Sequence, residues 1–307
     1  MSIYWKEDAW RQYMDPTSSL SIAGDGHVLP DTLAGGQDNW PAAELDLSPL
    51  RRVGYAHLRR FFSSPTLELL HHLGGAVAAL PSALPPTMAV IFDIVWEVQA
   101  AIGRFLEAKL DRRLAPCADL YIFRESSGWG LHRDRSRADT LDADGSPRYV
   151  TAWIPLEAAT VENGCMQVVP APFDDLYQAS TEDAEAEGRP LIDYDALLPL
   201  PAAVGDVLLW TGRLLHTGGR PNPARFPPGT RAPRAALSMA FADITFESST
   251  ARGLLPPDSL LRQSPSLSDR LELGVLQLLL YKHNAEIPEE DEEFTRLVAE
   301  CRKKWGV

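Results

Sequence analysis

The stretch RYVTAWIPLEAATVENGCMQVVP, Arg148 to Pro170, holds two short apolar runs, YVTAWIP and CMQVV. An acidic-Asn-Gly turn, Glu162 to Gly164, parts them, and Pro170 closes the second. Short runs of this composition, bounded by Gly, Pro, Asn and Asp, read as strands. CADLYIFRE precedes the pair in the same style, and GDVLLWTG and RAALSMAFAD follow it. No helical pattern intervenes as βαβ units would require, so these segments predict an antiparallel sandwich or barrel.

Helical patterns flank this centre. On the N-terminal side VGYAHLRRFF reads as a short strand and turn. SPTLELLHHLGGAVAAL opens with Ser64 as N-cap and Pro65 as first helical residue, and Met88 to Leu110 is expected to form one further helix. On the C-terminal side SDRLELGVLQLLLYKHN and EEDEEFTRLVAECRKKW are two more helices. Glu289 to Glu293 suit the start of the last one and Arg302 to Lys304 its end, as the helix dipole demands. The expected class is mainly β with flanking helices. No linker divides the chain, so one domain is expected: an arm over 1–50, helical support over 51–115, the β core over 116–245 and C-terminal helices over 246–307.

Bulk properties narrow the function. The chain is 45% hydrophobic and 23% charged, a globular composition, and its net charge of −13 argues against non-specific binding to nucleic acid or an anionic membrane. Cys117, Cys165 and Cys301 form no CxxC pair, which disfavours a disulfide framework or a zinc ribbon. The most apolar stretch, MAVIFDIVWEVQAAIGRFLEAKL, carries Asp93 and Glu97 near its start and is no membrane span. The first residues lack the pattern of a signal peptide, so a cytoplasmic protein acting on a small-molecule substrate is expected, without nucleic-acid or membrane partners. The sequence does not set the oligomeric state.

The chemistry-bearing segment is GWGLHRDRSRAD, Gly128 to Asp139. Alternate residues of an extended chain point the same way, so His132 and Asp134 project an imidazole and a carboxylate in one direction. A third ligand from a neighbouring strand would complete one face of an octahedron and leave room for a bidentate organic acid and a small gas molecule. Taken alone, an H-x-D pair is as easily a surface feature. His216 lies just after the strand GDVLLWTG and before an expected turn at TGG, and Arg234 opens the next strand. There Arg234, Ala236, Ser238 and Ala240 share one face, and Leu237, Met239 and Phe241 the other. An arginine on a face of small residues can fork onto the far carboxylate of a small diacid, with Ser238 adding a hydroxyl; an ordinary surface salt bridge is the plain alternative.

At these residues the chain resembles the phytanoyl-CoA dioxygenase family of iron(II), 2-oxoglutarate-dependent oxygenases. GYAHLRRFF, WGLHRD, VTAWIPLEAATVENGCMQVVP, GDVLLWTGRLLHTGG and RAALSMAF occur in the family's order. The resemblance implies a double-stranded β-helix with Fe(II) held by His132, Asp134 and His216, and Arg234 gripping the distal carboxylate of the cosubstrate 2-oxoglutarate. It implies Trp153 beside iron and cosubstrate, with Thr151 on the same strand face. It also implies consumption of O2 with release of succinate and CO2, coupled to oxidation of a small molecule, a secondary-metabolite tailoring step. Related halogenases carry a small residue where this chain has Asp134, so hydroxylation or another oxidation such as desaturation is implied. Two rival functions keep the fold: a cupin-like metal isomerase or lyase that needs no 2-oxoglutarate, and a non-catalytic binding protein.

The chain departs from the family in two places. PAPFDD, Pro170 to Asp175, stands where the family has PGSH, and the Pro-rich PNPARFPPGTRAP lengthens the spacing before Arg234, which makes Arg231 its competitor. By alternation Arg133 points away from the metal, toward an acidic neighbour. Arg135 and Arg137 are either substrate contacts or a solvated loop balanced by Asp139, Asp142 and Asp144. His71 and His72 share a helix and cannot face one partner. His27, His57 and His283 have no ligand-like neighbours, and Cys165 reads as a small buried hydrophobe. Trp5, Trp10 and Trp40 anchor the arm or cover a site, and the acidic Ser180 to Asp195 is a solvated loop or a lid.

Overall fold

A computed structural model describes residues 4, 6–11, 20–22, 45–80, 84–125, 129–136, 140–178, 194–226, 232–244, 263–280 and 291–305. In chain order the elements are α1 (Glu7–Arg11), α2 (Ser48–Val53), β1 (Tyr55–Leu58), α3 (Ser64–Ala79), α4 (Asp93–Leu110), β2 (Leu114–Glu125), β3 (Trp129–His132), β4 (Tyr149–Pro155), β5 (Met166–Val169), β6 (Leu198–Leu200), β7 (Val207–Thr211), β8 (Leu215–Gly218), β9 (Pro233–Asp243), α5 (Leu267–Leu280) and α6 (Glu292–Trp305). The strands form a five-stranded sheet, β1-β7-β4-β9-β2, and a four-stranded sheet, β3-β8-β5-β6, and every pairing is antiparallel. The expected class, mainly β with flanking helices, is what the molecule shows.

β4 sits inside the larger sheet and is buried along its whole length. Its alternate side chains therefore serve two layers. Val150, Ala152 and Ile154 pack into the core with Leu73 and Val77 of α3 and Val98 and Phe105 of α4. Trp153 turns the other way and joins Leu208 and Trp210 of the same sheet against Met166, Val168 and Leu200 of the smaller one. β9 divides as its sequence predicts: Leu237, Met239 and Phe241 enter the helix-side core, while Ala236 lies between the sheets. One face of the larger sheet thus carries the helices, and the other faces the second sheet and the cavity between them.

The chain crosses between sheets at a tight turn after β7, where the Leu214 amide bonds to the Thr211 carbonyl at 2.9 Å. Another crossing, from β4 to β5, is the turn foreseen at Asn163-Gly164. Asn163 accepts the Thr160 amide at 2.7 Å and donates to the Ala158 carbonyl at 2.8 Å. Gly164 adopts φ +85°, and a Cβ there would stand 2.4 Å from the Gly219 carbonyl oxygen. Only glycine meets both conditions.

Several expectations need correction. Met88 to Leu110 is not one helix: a 3-10 turn covers Pro86–Ile91, Phe92 is extended at ψ 139°, and α4 begins at Asp93. One long-range and one local bond accompany this break. The Asp93 amide donates to the Ser21 carbonyl at 2.9 Å, and Trp96 Nε1 donates to the Val90 carbonyl at 2.7 Å. The helix after Ser64 holds, with Ser63 rather than Ser64 as its N-cap. His216 lies within β8, whose residues run through Gly218, so the turn expected at TGG begins later. Among the described residues of 1–50 stand the short helix α1 and the start of α2, and Trp10 is fully buried, its indole donating to the Tyr4 carbonyl at 2.9 Å. Tyr4 also bonds Asp291 at 2.6 Å, which ties the arm to the start of α6. Trp5, Trp40, His27, His283 and most of the acidic 180–195 loop lie outside the described residues.

The break before α4 is held by Arg270 of α5, which is fully buried. Its guanidinium bonds the carbonyls of Pro265 (2.8 Å) and Ile91, the Ser264 hydroxyl, and the Asp93 carboxylate at 2.8 Å. Removing one partner strands the other charge in the core. Arg270→Ala is expected to cost about 3–5 kcal/mol of unfolding free energy, read from urea denaturation; a loss below about 1 kcal/mol, the ceiling for a solvent-exposed pair, would contradict this account of the break.

Candidate metal centre and cavity

His132 ends β3 and His216 lies in β8, and the two are direct cross-strand partners in the smaller sheet. Their ring centroids are 4.3 Å apart. Asp134 follows two residues after His132, and its Oδ1 stands 3.5 Å from Nε2 of each histidine. The three groups offer ligand atoms that all lie within 4.8 Å of one another. Donors held about 2.1 Å from an ion at right angles stand about 3 Å apart, so the set has the dimensions of one face of a coordination sphere.

Hydrogen bonds turn each ligand toward that point. Nδ1 of His132 lies 2.7 Å from the Gly130 carbonyl, and Nδ1 of His216 lies 3.0 Å from that of Leu214. A carbonyl only accepts, so the ring proton sits on Nδ1 and the Nε2 lone pair faces the shared centre. The other oxygen of Asp134, Oδ2, accepts the Thr151 hydroxyl at 2.7 Å and the Trp210 indole N–H at 3.0 Å. Thr151 and Trp210 are themselves partners across β4 and β7. The larger sheet thereby holds one oxygen and leaves the other for a metal. Three lone-pair donors turned onto one point repel each other unless a proton or cation intervenes, which fits a divalent ion.

Burial pushes Asp134 toward protonation, but the His216 and His132 imidazoles and the Thr151 hydroxyl outweigh it and hold the carboxyl well below the usual range. Burial depresses His216, the Asp134 charge notwithstanding. At His132 burial also depresses, yet Asp134 prevails and the shift is upward.

The group opens on a cavity of about 600 Å³ between the sheets, within the range of small-molecule sites. Arg234, Trp153, Thr151 and Ser238 all line it. Ser238 pairs with Trp153 on one side and Tyr121 on the other, so all three share one level of the sheet. Arg234 is 4% exposed. It donates Nη1–H to the Gly164 carbonyl at 2.6 Å, and its carbon centre lies 5.9 Å from the Trp153 ring. Its buried Nε has no hydrogen-bond partner, and burial depresses its pKa to about 10. A guanidinium held dry with an unsatisfied donor fits a carboxylate arriving from the cavity, which is the demand 2-oxoglutarate would meet. Arg231 and Arg137 lie outside the described residues.

The remaining expectations resolve as follows. Arg133 does point away from the metal group: it forks onto Asp174 at 2.6 and 2.7 Å and reaches the Arg213 carbonyl at 2.7 Å. Arg135 pairs with Asp119 at 2.9 Å rather than with Asp142 or Asp144. His71 is exposed and His72 half-buried, as adjacent helical positions require, and Cys165 is buried. His57 has a structural partner after all, Asp206 at 3.0 Å, whose carboxylate also takes the amides of Arg60 and Ala203. Sequence reasoning missed Trp210 and Asp174. Alternation along VLLWT could have put Trp210 on the face of Leu208, but nothing local gave its partner.

Comparison with known proteins agrees with the resemblance. Residues 97–222 match the family model described as phytanoyl-CoA dioxygenase (PhyH); the matched stretch contains His132, Asp134 and His216 but ends before Arg234. A curated relative, "Dioxygenase lolE1" of Epichloe uncinata, is 26% identical over 102 residues, 32% of this chain and 39% of that protein. The match therefore spans well under half of that relative. Among solved structures, the non-heme alpha ketoglutarate dependent carbocyclase SnoK from nogalamycin biosynthesis gives a TM-score of 0.48 at 18% identity, covering 74% of this chain and 94% of that one. HygX from Streptomyces hygroscopicus, with nickel and 2-oxoglutarate bound, gives 0.46 at 18% identity over 64% and 86%. The expected cofactors, iron with 2-oxoglutarate, are borne out by the family match and the donor set. Among the described residues no helix is long and apolar enough to cross a membrane.

Partners that orient metal ligands typically contribute ten- to a hundredfold in affinity. Thr151→Val and Trp210→Phe are each expected to weaken Fe(II) binding by about that factor with the fold retained, measured by anaerobic competition with a chelating dye. Unchanged affinity in the double variant would show that Asp134 needs neither.

Proposed function

We propose that this chain is an iron(II)- and 2-oxoglutarate-dependent oxygenase that oxidises, and most simply hydroxylates, a small molecule in a cytoplasmic secondary-metabolite tailoring step. The observation that carries it is the convergence of Asp134 Oδ1 with Nε2 of His132 and His216 on a cavity that also receives the unsatisfied guanidinium of Arg234. When bound, iron and 2-oxoglutarate supply the oxidation by O2, with succinate and CO2 as co-products. The protein's share is placement and electrostatics. His132, Asp134 and His216 would hold the metal, leaving it able to take further ligands. Arg234 takes the distal carboxylate of the cosubstrate, with the Ser238 hydroxyl and the Trp153 ring beside it. Thr151 and Trp210 keep Asp134 from turning its second oxygen to the metal. The arm, helical support, β core and C-terminal helices act as one domain in this proposal.

The rival cupin-like reading keeps the metal but gives Arg234 no task, and a dry guanidinium with an open donor is costly to maintain without one. Two variants separate the readings. Asp134→Ala is expected to abolish iron-dependent release of succinate. Arg234→Gln is expected to retain metal binding but to weaken 2-oxoglutarate binding by about ten- to a hundredfold, measured by anaerobic calorimetry. Full succinate release by Asp134→Ala would overturn the proposal. Unchanged 2-oxoglutarate affinity in Arg234→Gln would favour the rival or pass the role to Arg231, which Arg231→Gln then decides.

A further inference from the structure

In the smaller sheet His132, His216 and Val168 stand in one row, on β3, β8 and β5. Antiparallel pairing brings the end of β3, the start of β8 and the end of β5 to the same end of that sheet, just beyond this row. Three segments meet there: Arg133 after β3, Arg213 and Leu214 before β8, and Pro170 to Gln178 after β5.

Arg133 joins all three. Its guanidinium forks onto both oxygens of Asp174 at 2.6 and 2.7 Å, and Nη1 also donates to the Arg213 carbonyl at 2.7 Å. The Asp174 side chain is 5% exposed and that of Arg133 16%, so little water reaches the fork to weaken it. Asp174 is itself fixed. Its Oδ1 accepts the Leu176 amide at 3.2 Å, and its carbonyl accepts the Tyr177 amide at 2.9 Å. Arg213, which is buried, grips the same segment. It donates Nε–H to the Tyr177 carbonyl at 3.2 Å and Nη2–H to the Leu176 carbonyl at 2.5 Å. The Tyr177 hydroxyl meets the Thr211 hydroxyl at 2.8 Å.

The turn held in this way, Thr211 to Leu214, is the one that aims the metal group. The Leu214 carbonyl faces Nδ1 of His216, and the Gly212 carbonyl takes the amide of Arg135, directly after Asp134. Arg133 sits between His132 and Asp134. The fork therefore ties the segment that carries two of the donors to the turn that orients the third. Asp174 does not line the cavity, so its effect on the site runs through Arg133. It belongs to PAPFDD, where the chain departs from the family's PGSH.

Resting on the oxygenase reading above, we propose that Asp174 is a positioning residue of the metal centre. Through the Arg133 fork it sets His132 and Asp134 against His216, and with that spacing the affinity for Fe(II). A site left free to drift by a fraction of an ångström loses affinity although every donor is present.

The test uses the whole chain. Fe(II) affinity is measured by anaerobic competition with a chelating dye, and the visible spectrum of the Co(II)-loaded protein reports the ligand geometry. Asp174→Asn is expected to weaken Fe(II) binding by about ten- to a hundredfold and to shift the Co(II) bands. The double variant Arg133→Leu, Asp174→Leu removes the fork without stranding a buried charge, so its melting temperature is expected to stay near that of the parent. It is expected to show the same loss of affinity and the same spectral shift. Arg133→Lys keeps the charge but not the fork and is expected to fall between. Parental affinity and spectrum in the folded double variant overturn the inference even if Asp174→Asn binds weakly, because that loss then belongs to the stranded charge. If the double variant does not fold, Arg133→Lys decides, and parental affinity there overturns the inference as well. Failure of the unaltered chain to bind Fe(II) strikes the oxygenase reading instead.

Discussion

The structure depends on the division of labour between the two oxygens of Asp134. One is held by Thr151 and Trp210, which are partners in the larger sheet. The other faces two imidazoles that are partners in the smaller sheet. A single carboxylate thus joins the two layers at the point where a metal would sit. Burying that carboxylate is unfavourable by itself; the two imidazoles and the Thr151 hydroxyl reverse the balance. The register of four strands meets there, and a one-residue slip in any of them would turn a ligand or its support to the wrong face.

The cavity follows from the same pleat. Because β4 and β9 are covered on both sides, each residue type along them has one of two duties. Branched and long apolar residues face the helices, while Thr151, Trp153, Ser238 and Arg234 face the space between the sheets. The Asn163-Gly164 turn adds the last constraint. Its glycine allows the close crossing to Gly219, and its carbonyl receives Arg234. A turn that joins the sheets therefore also holds Arg234.

Much of this was legible in the sequence because it rests on local rules. The period-two alternation of β4 and β9, the turn at Asn163-Gly164, and the H-x-D spacing all follow from the geometry of an extended chain. What was not legible depends on contacts between distant residues. The break at Phe92 is imposed by Ser21 and by Arg270, neither of which is near in sequence. β3 and β8 are too short to stand out, and their pairing places His216 inside a strand rather than after one. The departure at Pro170 to Asp175 looked like a loss of a family feature. In the fold it supplies Asp174, the partner that turns Arg133 away from the metal. Trp210 could be placed on the cavity face by alternation, but its bond to Asp134 required the register of the sheet.

The most direct measurement is anomalous diffraction from anaerobic crystals grown with Fe(II) and 2-oxoglutarate. The account predicts one iron bound by Nε2 of His132, Nε2 of His216 and Oδ1 of Asp134, with a diacid chelated opposite and its far carboxylate on Arg234. Iron located elsewhere, or a diacid whose far end meets neither Arg234 nor Arg231, would contradict it.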